Sequence, residues 1–270
     1  RGSDSGHVRV YEWDGTAWNK LGDDIDGDEA GDQSGFAVSL SSDGHRVAIC
    51  AIKNDAIGDR SGQVRVYEWD GTTWEKIGAD IDGDDISNRG GLSVSISSDG
   101  HRVAIGSPEN DGVNGNVSGH VRVYGWDGSV WNKLGQDIDG EAANDQSGWS
   151  VSLSQDGTRV AIGARYNDDV GTNSGHVRVY ELTGTDWFQI GDDINGEAAG
   201  DHSGISVSLS SNGHRVAIGA IYNDGNGTSS GHVWVYDWDG SVWNQLGIDI
   251  DGEAAGDQSG ISVSLSSNGT

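Results

Sequence analysis

The residues in this sequence best suited to chemistry are carboxylates that recur at fixed intervals. Asp24, Asp26 and Asp32 stand in one glycine-bearing stretch, and the stretch returns with Asp80, Asp82 and Asn88, then Asp137, Asp139 and Asp145, then Asp193, Asn195 and Asp201, and finally Asp249, Asp251 and Asp257. Hard oxygen donors crowded around a glycine suit Ca²⁺, which takes about six to eight oxygens from carboxylates, amides and backbone carbonyls. Ca²⁺ is therefore the expected cofactor and the aspartates of this series the candidate ligands. The spacing is not that of an EF-hand. A second reading stays open, in which Asp and Asn close Asx turns and glycine supplies positive φ with no ion involved.

The elements that position these loops are read from internal repetition. SGHVRVYEWDG opens at Ser5 and returns in close variants at Ser61, Ser118, Ser174 and Ser230, a period of 56 residues with one step of 57. Each copy continues through a tryptophan (Trp18, Trp74, Trp131, Trp187, Trp243), the acidic loop and an SVSLS-like segment. Arg-Val-Ala-Ile then follows from Arg46, Arg102, Arg159 and Arg215, and the sequence reaches Thr270 before a fifth such segment. Apolar residues alternate with period two, as at Val8 and Val10 or Val38 and Leu40, which predicts strands rather than helices. Asp43-Gly44, Asp99-Gly100, Asp156-Gly157 and Asn212-Gly213 predict two-residue I′ hairpin turns. Each repeat is thus a four-stranded antiparallel meander, here called a blade.

Along each blade the SVSLS and RVAIGA strands carry small residues, and the HVRVYEW and WNKLG strands carry Tyr and Trp. That gradient places the first pair at a crowded axis and the second at a wide rim. The expected fold is all-β: a β-propeller of about five four-stranded blades, with residues 1–270 as one repeat domain. With only four RVAI segments, the ring is either incompletely closed or an excerpt of a longer array. The absence of methionine points the same way, to a processed product or an excerpt. Meander connections alternate ends, so the terse Asp-Gly turns gather on one face. The acidic loops and the Asn-Asp loops (Asn54-Asp55, Asn110-Asp111, Asn167-Asp168, Asn223-Asp224) gather on the other.

Other chemistry-bearing residues read as structural. A tryptophan in every blade is what a repeated packing position looks like, although indole faces also stack on sugars. His7, His120, His176 and His232 occupy one repeated position, and equivalent residues on separate blades diverge, so surface or inter-blade hydrogen bonding is expected rather than a metal site. The lone Cys50 allows no internal disulfide and replaces a glycine as a small buried residue.

Gly163-Ala164, Gly219-Ala220 and Gly106-Ser107-Pro108, with the Ser-Gly before each SVSLS strand, resemble the FG-GAP repeat, which builds the β-propeller of integrin α-subunits and of extracellular proteins. Ser34, Ser147, Ser203 and Ser259 stand where the family has Phe. A tight turn also replaces the integrin calcium loop, so that family's calcium sites do not carry over. The resemblance implies an extracellular or cell-surface location.

Acidic residues outnumber basic ones 43 to 16, for a formal charge of -27, which repels nucleic acid. No apolar run is long enough for a membrane span. Near-identical blades offer no asymmetric acid, base and nucleophile set, which argues against an enzyme. Departures from the repeat are the only place for uniqueness: Phe36, Cys50, Pro108, Trp149, Arg165, Phe188 and Trp234. The expected function is a non-catalytic extracellular domain for adhesion or surface assembly, binding calcium and glycans on its acidic face. Its partners would be a cell-surface protein or glycan, or further copies of the repeat. The alternative is a purely structural repeat of a fibre or appendage.

Overall fold

The computed structural model describes residues 2–83 and 90–270; Asn88 lies outside them. The described residues are all-β, without helix. Four sheets repeat one antiparallel order. In the third, the strands are Ser147–Leu153, Arg159–Ala164, His176–Thr183 and Asp186–Gln189, followed by the short Ile194–Asn195. Ile194–Asn195 pairs with His176–Thr183 on the same edge as Asp186–Gln189, so the outer strand is a single edge interrupted by a bulge. Before the first full sheet, His7–Val8, Tyr11–Trp13, Trp18–Lys20 and Ile25–Asp26 form an outer half-blade. After the fourth, residues 261–266 form no strand, and Leu265 N–H donates to Ser208 Oγ at 3.0 Å.

Blades stack face to face around an axis as a β-propeller that does not close. Successive turns are tied blade to blade: Ser42 N–H donates to Ser98 O, Ser98 to Gln155, Gln155 to Ser211 and Ser211 to Ser267, at 2.8–3.0 Å. The core consists of apolar layers between neighbouring sheets, such as Val121, Val123 and Ile138 against Leu153, Val160 and Ile162. At the ends the same positions lie open: Leu40 and Ile250 are 49% and 58% exposed, whereas Leu153 and Ile138 are buried. No sheet among the described residues covers them there.

The size gradient has a direct cause. A Cβ at Gly106, Gly163 or Gly219 would collide with the carbonyl oxygen of Gly148, Gly204 or Gly260 in the next blade. At the rim, Trp74 Nε1 donates to Leu21 O at 3.0 Å, and Trp131, Trp187 and Trp243 repeat the bond to Ile77, Leu134 and Ile190. Tryptophan therefore clips each blade to its predecessor, as expected of a packing position.

The turns differ from expectation. A I′ turn needs positive φ at both central residues, yet Gly44 has φ 72° while Asp43 is not among the residues with positive φ. The loop spans four residues, with Ser41 N–H bonded to Arg46 O and Gly44 N–H to Ser41 O. Asp43 Oδ1 accepts from Ser41 Oγ and His45 N–H, and this Asx closure stabilises the longer loop.

Candidate functional site

At the axis, the tight-turn face borders an open depression of about 700 Å³ lined by Ser42, Asp43, Ser98, Asp99, Gln155 and Asp156 among others. Its carboxylates are engaged in turn closure. Asp43 is held down at about 2 by the Ser41 hydroxyl and the His45 N–H, and Asp99 and Asp156 make equivalent bonds. Nothing in this repeated ring distinguishes an acid from a base.

On the opposite face the candidate aspartates divide by environment. Asp32, Asp145 and Asp201 each accept a main-chain N–H from their own loop and the amide of Asn54, Asn167 or Asn223. Asp257 accepts from Ala254 N–H. These four shape loops. Asp26, Asp82, Asp139 and Asp251 lie in the short outer strands opposite His7, Gln63, His120 and His232. Asp82 accepts from Gln63 Nε2 at 2.8 Å, and burial raises the Asp139 carboxyl.

The first aspartate of each loop is the informative one. Asp24 is bound by Arg9 and Lys20, Asp80 by Lys76, and Asp137 by Arg122 and Lys133. Hydrogen bonds from Arg9 and Lys20 hold Asp24 below the usual carboxylate range. Burial opposes the same shift at Asp137, but Arg122 and Lys133 prevail. In the last two blades glutamine replaces the lysine, and Gln189 and Gln245 contact Asp193 and Asp249 only through a neutral amide.

At those two aspartates, histidine and further carboxylates converge. Glu141, Asp169, His176 and Asp193 place one ligand atom each within 4.8 Å of one another, and Glu197, His232 and Asp249 do the same one repeat later. These clusters could hold a metal ion. Glu141 comes from the loop leading into the third blade, Asp169 from the loop before its third strand, His176 from the start of that strand and Asp193 from the outer-edge bulge. His176 Nδ1 lies 3.8, 3.8 and 3.9 Å from oxygens of Glu141, Asp169 and Asp193. Burial, followed by the nearby Arg178 charge, pushes its imidazole down to about 3. Among the described residues, neither ring nitrogen of His176 or His232 has a hydrogen-bond partner, and both residues are buried. The expectation of surface or inter-blade hydrogen bonding for these histidines is therefore corrected: strand pairing turns them inward beneath the acidic loops.

The same loops carry a cation–aromatic ladder. The Arg165 guanidinium lies 3.1 Å from the Trp149 ring centroid and 4.3 Å from that of Tyr166. Arg165 Nε donates to Gln146 Oε1 at 2.9 Å. His202 follows edge-on, 4.9 Å from Tyr166 and 4.8 Å from Tyr222. Trp149 and Arg165 were visible as departures from the repeat. Glu141, Asp169 and Glu197 were not singled out and the two histidines were read as structural, although the exchange of lysine for glutamine at 189 and 245 was a legible signal.

Residues 138–180 and 195–236 match the FG-GAP repeat. No curated protein matches the chain. Among solved structures, the chain is similar to the periplasmic gluconolactonase of Pseudomonas aeruginosa, with TM-score 0.61 and 18% identity, covering 92% of this chain and 65% of that one. It is also similar to a putative 6-phosphogluconolactonase of Bacteroides fragilis, with TM-score 0.60 and 12% identity, covering 95% and 67%. The chain thus spans about two thirds of the length of these structures. No helix among the described residues is long and apolar enough to cross a membrane.

These likenesses concern the fold, and they correct two expectations. A non-catalytic adhesion or purely structural domain was expected because repeated blades seemed unable to build an enzyme. The same fold, however, carries proteins named as lactonases. The physical reason is that blades repeat in backbone while their loops diverge, and two clusters have gathered where the repeat is broken.

Proposed function

We propose that the chain is the blade assembly of a hydrolase acting outside the cytoplasm on small sugar-acid lactones, with its site on the acidic-loop face of the third and fourth blades. The observation carrying this reading is that one pair of loops, 139–149 and 164–176, holds both the ladder of Trp149, Arg165 and Tyr166 and the ligand atoms of Glu141, Asp169 and His176. An aromatic and guanidinium surface beside a carboxylate cluster supplies the two parts such a reaction needs.

The sugar ring stacks on the aromatic ladder through its apolar face, and Arg165 orients the polar substituents and the carbonyl oxygen. A carboxylate of the cluster accepts a proton from water as the water oxygen attacks the lactone carbonyl carbon. The ring C–O bond then breaks, the proton passes to the leaving alkoxide, and an open-chain hydroxy acid results. His176 is too weak a base for that role when held at about 3. Calcium belongs to this reading as the cation first expected at the acidic loops; the carboxylates suit it, whereas an imidazole nitrogen favours a softer ion.

The test is a pH-stat assay of the purified chain against aldono-δ-lactones, aldono-γ-lactones and a simple aryl ester, with Arg165→Ala alongside. The reading predicts turnover of sugar lactones above the spontaneous rate and a KM raised about tenfold or more by Arg165→Ala. Turnover at the spontaneous rate on every lactone overturns it.

A further inference from the structure

We propose that Glu141, Asp169, His176 and Asp193 form a divalent-cation site, and that Glu197, His232 and Asp249 form a weaker second one. The inference deepens the hydrolase reading but stands on binding geometry alone. A buried, unpartnered imidazole facing three carboxylate oxygens at 3.8–3.9 Å is too distant for hydrogen bonds. The separation suits donors that share an ion, since ligands about 2.1 Å from one metal stand about 3.5 Å apart at the tetrahedral angle.

Three independent features of the repeat support it. The lysine that pairs with the first loop aspartate at 20, 76 and 133 is glutamine at 189 and 245, so the cationic competitor is missing in the two blades where ligands converge. Next, Asp169 has Gly225 as its counterpart one repeat later, which removes a ligand from the second site. Finally, Arg178, whose Nη1 lies 3.4 Å from Glu141 Oε1, has Trp234 as its counterpart, with ring centroids of His232 and Trp234 4.0 Å apart. Three carboxylates with one guanidinium, or two carboxylates with none, each leave a charge of -2 for the cation to neutralise. The loss of a carboxylate and the loss of an arginine thus compensate.

A mixed set of carboxylates and one imidazole selects a first-row transition ion such as Mn²⁺ or Zn²⁺ over Ca²⁺, which prefers oxygen throughout. Bound metal keeps the imidazole neutral and satisfies a ring nitrogen that otherwise has no partner.

The test uses the full chain after chelator treatment, titrated calorimetrically with MnCl₂, ZnCl₂ and CaCl₂ in separate runs, without substrate. The expected result is saturable Mn²⁺ or Zn²⁺ binding at least tenfold tighter than Ca²⁺, a fall of tenfold or more in the tighter site for Asp169→Asn, and a similar fall for Gln189→Lys. The last variant removes no ligand and installs the residue that three other blades carry, so it leaves folding intact. Absence of Mn²⁺ and Zn²⁺ binding at millimolar concentration overturns the proposal, as does unchanged affinity in Gln189→Lys. Because no turnover is read, failure of the hydrolase reading leaves this result standing, and the reverse also holds.

Discussion

Replacing Gly163 by alanine probes the blade-to-blade contact that gives this fold its spacing. The residue is the penultimate one of the third blade's Arg159–Ala164 strand, opposite Val177 and Ser150. A Cβ there would meet the Gly204 carbonyl oxygen inside contact distance and Ser150 Oγ at 2.5 Å. Ser150 can rotate, although its hydroxyl would give up its 2.8 Å bond to Gly204 O. Gly204 O belongs to the backbone, so relief requires the fourth blade to move away from Val177, Val179 and Ile194, which pack against Val207, Val216 and Ile218. Overpacking of this kind costs about 1–3 kcal/mol, and the lost hydrogen bond adds about 1 kcal/mol. At about 2–4 °C per kcal/mol for a chain of this size, the midpoint should fall by roughly 5–15 °C. Leucine should cost more. The assay is a circular-dichroism melt beside Asp24→Asn, whose solvent-screened surface ion pairs contribute little to stability. Equal midpoints for Gly163→Ala and Asp24→Asn would refute the close-approach argument.

Trp187→Phe removes the Nε1 bond to Leu134 O while keeping most of the packing, and should cost about 1–2 kcal/mol in a urea titration. Asp43, Asp70 and Asp239 are each held down at about 2, chiefly by the Ser41 hydroxyl, the Thr73 N–H and the Val242 N–H respectively. The unfolded chain therefore takes up their protons first, so the stability they contribute is present above the ordinary carboxylate value of about pH 4 and lost as pH falls toward 2. Melts from pH 6 to pH 2 should show that decline, and an Asp70→Asn variant should show less of it. A chelator-sensitive melting temperature should survive Asp24→Asn, because Arg9 and Lys20 already occupy that carboxylate, and should be reduced by Asp193→Asn.

The architecture was legible because strand periodicity, turn dipeptides and a 56-residue period all report local chemistry that the blades obey one by one. The Asp-Gly pairs misled in detail: they mark Asx-closed four-residue loops, since the side chain of Asp43 bonds His45 N–H and fixes a longer turn. The candidate site was half legible. Repeated aspartates marked the right face, but equal spacing conceals unequal neighbours, and only the fold shows Lys133 on Asp137 beside Gln189 on Asp193. The histidines were missed because divergence between blades was considered and convergence within one blade was not. His176 meets Glu141, Asp169 and Asp193 across 35, 7 and 17 residues of sequence respectively, a juxtaposition set by the outer-edge bulge and the loop before the third strand. Catalysis was set aside for a related reason. A repeat was taken to impose one chemistry on every blade, whereas its loops are free to diverge over a fixed frame.

The central claim is tested most directly by the rate of glucono-δ-lactone opening with wild-type chain and with Asp193→Asn, read by pH-stat at equal protein concentration after melts confirm that both are folded. The account predicts that wild type accelerates opening above the buffer rate and that Asp193→Asn loses at least about tenfold of kcat/KM, about 1.4 kcal/mol of transition-state stabilisation. A wild-type rate equal to buffer, or equal rates for the two proteins, would contradict it.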